Sequence, residues 1–144
     1  TIVDDFQRQV YENPDWTPAE RKAAWRQLEA EFRPHITFDG IPYLEEGTRW
    51  QYQMHIYETP FYYIDYCLAQ TAALQFLLAS RKDYDDAFHR YVRFLSQGGE
   101  KVFTELLQEA GLRSPFQEGA LQTVAQESEA LLNELERALS QETK

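Results

Sequence analysis

The stretch FYYIDYCLAQTAALQFLLA, residues 61–79, decides the fold class. Its apolar side chains fall on nearly every side of a helical wheel, and it is far longer than a strand of about 4–8 residues. It reads as a buried helix, and a helix covered all round needs other helices to cover it. The residues on either side supply them. Toward the C-terminus, Asp83 is placed to cap a helix carrying Phe88, Tyr91, Val92 and Leu95 that stops at Gly98-Gly99. A helix with Val102, Phe103, Leu106 and Leu107 follows and closes at Gly111, so that the two form a helical hairpin. Ser114-Pro115-Phe116-Gln117 then gives a cap, a proline and a polar third position. It leads into a long amphipathic helix with Leu121, Val124, Leu131, Leu132 and Leu135, ahead of a polar tail.

Toward the N-terminus, Pro34, Gly40, Pro42 and Gly47 punctuate a stretch without periodicity, in which Phe38 and Tyr43 are expected to pack on something. Before it, Thr17-Pro18-Ala19-Glu20 combines an N-cap, proline at the first helical position and an acid at the third. Trp25, Leu28 and Phe32 mark one face of that helix until Pro34. Ile2, Val3, Phe6 and Val10 make a first short helix that Asn13-Pro14 stops, because the residue before proline avoids the α region. No strand signal, internal repeat or low-complexity linker interrupts the pattern. The expectation is an all-α fold of about six helices in a single helical domain, residues 1–144.

Composition narrows the function classes. With 43% hydrophobic and 15% aromatic residues the chain carries far more large apolar side chains than a disordered segment. A formal charge of −10 without any Lys/Arg run argues against nucleic acid and against an anionic membrane as partners. No segment reaches the ~20 apolar residues of a bilayer span. The single cysteine, Cys67, lies in apolar sequence, excludes an internal disulfide and reads as an inert buried thiol. These features, with no leader-like start, favour the cytoplasm. The chain opens at Thr1, without Met and already in helical pattern, which reads as a piece cut from something longer.

Catalytic motifs are absent. A His-Glu-x-x-His zinc motif needs two imidazoles one helical turn apart, and His35, His55 and His89 lie 20 and 34 residues apart. His35 and His89 read as surface or structural residues. There is no Gly-x-Ser-x-Gly elbow and no phosphate loop. Glu127, Glu129, Glu134 and Glu136 read as the solvated face of the last helix. One segment is unusual: residues 55–66, HIYETPFYYIDY, hold a histidine and four tyrosines. Phenol and imidazole groups there are suited to donate hydrogen bonds to a carbonyl oxygen as it gains charge. The competing reading is aromatic core with satisfied hydroxyls.

The same segment, followed by Leu68-Ala69-Gln70, resembles the His/Tyr region of bacterial M3 oligoendopeptidases. Val3-Asp4-Asp5-Phe6-Gln7, Val10-Tyr11-Glu12-Asn13-Pro14, Arg21-Lys22, Trp50-Gln51 and Gly111-Leu112-Arg113-Ser114-Pro115-Phe116 are similar to the last quarter of such enzymes. The resemblance implies a C-terminal fragment of a zinc oligopeptidase whose mostly helical body holds zinc through residues upstream of Thr1. It implies zinc as the cofactor of the full-length enzyme, short peptides as substrates, and no metal bound by this chain. His55 and Tyr66 match the family's histidine and distal tyrosine, which bind substrate and stabilise the oxyanion. Tyr57, Tyr62 or Tyr63 takes the place of a second substrate tyrosine, Tyr57 and Tyr63 ranking just above Tyr62. The fragment is expected to be inactive alone, to pair with its own upstream zinc-binding part, and to self-associate through exposed apolar faces. The alternative is a free-standing helical interaction module without catalysis, docking partners through its tyrosines.

Overall fold

Val3, Phe6, Gln7 and Val10 stand at i, i+3, i+4 and i+7, so one stripe of the first helix, α1 (Ile2–Glu12), faces inward. In α2 (Pro18–Phe32) the Thr17 hydroxyl accepts from the Glu20 N–H at 3.3 Å, and the Glu20 carboxylate accepts from the Thr17 N–H at 2.7 Å. This closes the expected capping box and satisfies two otherwise orphaned donors. Burying α1 against α2 joins Phe6 and Trp25 edge to face at 5.2 Å, and both are 1% exposed. Trp50, from a short 3-10 turn (Arg49–Tyr52), lies 5.3 Å from Phe6 and completes the cluster with Leu28, Ile56 and Tyr63. Burial on this scale contributes about 1.5–3 kcal/mol for each fully covered Phe or Leu.

The connection before that turn is ordered by Gly47. Its φ is +84°, and a Cβ there would collide with the Lys22 carbonyl of α2, so only glycine allows the close approach. Phe38 is half-buried, with the Arg49 guanidinium 5.7 Å above its ring, as the aromatic content of the connection implied. Tyr43 is not packed: it is 69% exposed.

This computed structural model describes residues 1–142, which divide into two compact units, residues 1–67 and residues from Leu68 onward. The second unit contains most of α4 (Ile64–Lys82), together with α5 (Tyr84–Ser96), α6 (Phe103–Glu109) and α7 (Ala120–Glu142). Its core is Ala72, Phe76, Leu107, Ala110 and Leu112, flanked by Phe94 and Phe103. Asp83 caps α5 by accepting from the Asp86 N–H at 3.1 Å, and α5 packs on α6 as the expected hairpin. The Arg90 guanidinium donates to the Ala110 carbonyl at the end of α6 at 2.9 Å, just before Gly111 turns the chain at φ +67°.

Among the described residues the fold is all-helical, with seven α-helices in place of about six. The additional one is α3 (Met54–Glu58), a five-residue helix too short to show a periodic stripe. Two further expectations change. The Ser114-Pro115 signature does not start the last helix: the Gln117 N–H returns to the Ser114 carbonyl in a closed turn, Gly119 follows at φ +73°, and α7 begins at Ala120. And α4 is not covered all round, since within it only Ala72 and Phe76 are buried while Leu77 is 48% exposed. The polar tail expected after α7 falls partly on residues 143 and 144, outside the described residues.

Candidate functional site

The His/Tyr segment starts on α3 and ends in the first turn of α4. Residues i and i+2 leave a helix on different sides, so His55 and Tyr57 part company. Tyr57 lies over Trp50 at 6.3 Å, and desolvation raises its phenol above the ordinary value. His55 faces the other tyrosines. Pro60 ends α3, its predecessor Thr59 taking the extended φ of −138°. The chain then reverses from Thr59 to Tyr62: the Tyr62 N–H donates to the Thr59 carbonyl at 3.2 Å, with Pro60 second and Phe61 third at φ +61°. This is the type II pattern, whose third position ordinarily goes to glycine. Phe61 holds it as a strained non-glycine residue, its ring edge on Tyr11 at 5.1 Å.

The reversal returns the chain to His55. The His55 ring stacks on Tyr62 at 5.7 Å and 6°, and meets Tyr63 edge on at 4.8 Å. Helical spacing brings Tyr66 under both, 5.4 Å from Tyr62 and 5.7 Å from Tyr63. Four rings therefore form a closed circuit, each touching two others. The Tyr63 hydroxyl donates to Gln53 Oε1 at 3.0 Å, which fixes that ring. Hydrogen bonding with Tyr62 raises the Tyr66 phenol above its ordinary value of 10.0, so it keeps its proton at neutral pH. Tyr62 and Tyr66 are 44% and 55% exposed, which leaves their hydroxyls within reach of a ligand. The arrangement offers neutral hydrogen-bond donors on a rigid aromatic base, suited to a carbonyl oxygen.

The other sequence candidates lie elsewhere. His35 is exposed, His89 is exposed with its Nδ1 2.7 Å from the Asp85 carbonyl oxygen, and Cys67 is half-buried with its Sγ 3.4 Å from the Thr1 hydroxyl. Glu127, Glu129, Glu134 and Glu136 are exposed on α7, and Glu134 pairs with Arg81 at 2.6 Å. Among the described residues no group of three or more His, Cys, Asp or Glu side chains is placed to hold a metal ion, so they do not fit a zinc site. No helix among them is long and apolar enough to cross a membrane. One residue that sequence reasoning passed over belongs to this region. Gln7 is 2% exposed, accepts from the Phe61 N–H at 3.2 Å and donates to the Ile56 carbonyl at 3.4 Å. Its signal is a polar residue at the i+4 position of the apolar stripe that Val3 begins.

Comparison with known proteins bears on the family of the chain. No curated protein matches the chain. Three solved structures are similar. PZ peptidase A with an inhibitor has 52% identity and a TM-score of 0.85 over 92% of this chain. A structure assigned to oligoendopeptidase F has 48% identity and a TM-score of 0.84 over 92%. Another so assigned, from Bacillus anthracis str. Ames, has 42% identity and a TM-score of 0.66 over 92%. The chain spans 24%, 23% and 20% of their respective lengths, about a quarter or less. The model of peptidase family M3 matches residues 1–126, and the chain belongs to that family.

Proposed function

We propose that this chain is the C-terminal helical domain of a zinc oligoendopeptidase that hydrolyses short peptides in the cytoplasm. Its zinc-binding part lies upstream in the same polypeptide. The observation that carries the reading is the closed circuit of His55, Tyr62, Tyr63 and Tyr66 in a chain of the M3 family. Zinc, the family's metal, supplies the activation of water for attack on the scissile carbonyl. The residues of this chain receive the substrate. His55 and Tyr66 donate hydrogen bonds to the carbonyl oxygen, and those bonds strengthen as the oxygen gains negative charge. Tyr66 serves as a donor because it stays protonated. Tyr62 and Tyr63 orient the two donors and line the substrate path, a role the ring contacts favour for them over Tyr57, which turns to Trp50.

Two consequences follow for the isolated chain. On this reading it should cleave no peptide by itself, because the zinc-binding part is supplied by the upstream sequence. It self-associates, because apolar side chains such as Leu77, Leu132 and Leu139 are 48%, 66% and 64% exposed. The test is hydrolysis of a quenched fluorescent oligopeptide, with zinc and a chelator control, by this chain and by the gene product extended upstream. Only the longer protein should turn over. In it Tyr66→Phe, which removes one hydroxyl, should lower kcat about a hundredfold. His55→Ala should do the same without unfolding the protein. If neither protein cleaves any peptide, the enzyme reading fails and a docking role for the tyrosines becomes the better account.

A further inference from the structure

We infer that Gln7 is a positioning residue for the His/Tyr site, holding the strained turn at Phe61 so that Tyr62, Tyr63 and Tyr66 return to His55. The inference rests on the proposed role of those side chains. Its physical basis is that Gln7, on α1, has both ends of its amide committed to a segment 49 and 54 residues away, at Ile56 and Phe61. One contact is to α3, which carries His55, and the other is to the third residue of the reversal that leads to Tyr62. Gln7 thus measures the separation between the two halves of the site. Water cannot replace it, since the side chain is 2% exposed.

The Phe61 end matters most. A phenylalanine at φ +61° persists only where its surroundings over-determine it. Two features do so here: the Tyr11 edge contact at 5.1 Å, and the Gln7 oxygen that takes the Phe61 N–H at 3.2 Å. Without the acceptor that N–H has lost its reason to point inward. The turn then relaxes toward negative φ, and the Tyr62 ring leaves its stack on His55. Small displacements of this kind cost turnover rather than binding, because the donors must meet the oxygen in its charged state.

The experiment uses the upstream-extended protein. Gln7→Met keeps length and apolar packing but removes both hydrogen bonds; Gln7→Glu keeps the acceptor for Phe61 and loses only the donor to Ile56. With a quenched fluorescent peptide, Gln7→Met should lower kcat about tenfold to a hundredfold with KM little changed. Gln7→Glu should retain most of the rate. Adding Gln7→Met to Tyr66→Phe should cost far less than it does alone, because the two act on one unit. Amide exchange of the peptide covering residues 59–62 should accelerate in Gln7→Met. An unchanged exchange rate overturns the clamp, and unchanged kcat in Gln7→Met beside an impaired Tyr66→Phe overturns the positioning role. If His55→Ala and Tyr66→Phe both leave kcat intact, the site reading itself is lost, and the positioning role with it. A fall in melting temperature with kcat preserved reduces Gln7 to a structural residue.

Discussion

Each unit contains a glutamine that holds a backbone segment with both ends of its amide, and the two differ in their surroundings. Gln7 reaches Ile56 and Phe61 from inside the Phe6–Trp25 core. Gln75 closes on a single residue, accepting from the Arg113 N–H at 2.8 Å and donating to the Arg113 carbonyl at 3.0 Å. It does so at the edge of an open groove shared with Lys82, Asp86 and Arg90. Water can take over the second clamp and cannot reach the first. The same chemical device is therefore indispensable in one place and replaceable in the other, and burial rather than bond count decides which.

The strongest way to break the comparison is to remove the two cores. Trp25→Ala in the first unit should cost about 3–5 kcal/mol and Leu107→Ala in the second about 2–5 kcal/mol, measured by denaturant unfolding. Trp25 and Leu107 are 1% and 0% exposed, so a loss below about 1 kcal/mol at either would contradict the packing. Trp25→Phe should lose less than Trp25→Ala, because it keeps an aromatic ring against Phe6, while both substitutions remove the buried indole N–H that has no hydrogen-bond partner among the described residues.

The glutamines themselves sharpen it. Gln7→Met leaves the Phe61 N–H and the Ile56 carbonyl without their partner, at a cost of about 1–3 kcal/mol. Gln75→Met hands Arg113 to solvent and should cost about 0.5–1 kcal/mol. Equal losses in the two variants would show that burial does not separate them. Only the first should also disturb turnover in the extended protein.

How far the sequence carried these differences depends on how local each cause is. The caps at Thr17 and Asp83 were legible because they need only three or four neighbouring residues. The start of α7 was misplaced because Ser114-Pro115 satisfies its own turn, and Gly119 at φ +73° separates that turn from the helix. α3 was missed since five residues are too few for a period. Residues 55–66 stood out by composition, but which tyrosines meet His55 follows from the reversal at Phe61, and aromatic content does not encode a positive φ. Gln7 was the least visible. Its neighbours Val3 and Phe6 announced a buried stripe, but a polar side chain within that stripe does not by itself say which distant backbone groups it will meet.

The smallest expected effect concerns those caps, and it separates the units by pH. In the first unit Glu20 reaches back to Thr17; the Thr17 N–H, and after it the hydroxyl, hold the carboxyl below its ordinary value of 4.5. In the second, Asp86 occupies the same third position but turns to Arg90 at 2.8 Å, so Asp83 caps without a reciprocal partner. A carboxyl whose folded pKa is depressed stabilises the fold above its unfolded pKa, and that contribution disappears as pH falls through the folded value. Stability should therefore fall as pH drops from neutral through the carboxylate range, and Glu20→Gln should remove part of that fall. Thr17→Ala should cost about 1 kcal/mol at neutral pH. Yet it should leave most of Glu20's acid dependence in place, because the 2.7 Å bond from the backbone N–H at position 17 survives the substitution. Asp83→Ala should lose a similar amount at neutral pH. The comparison fails at this level if Thr17→Ala flattens the pH profile as fully as Glu20→Gln, since the hydroxyl rather than the backbone would then be the group that holds the carboxylate.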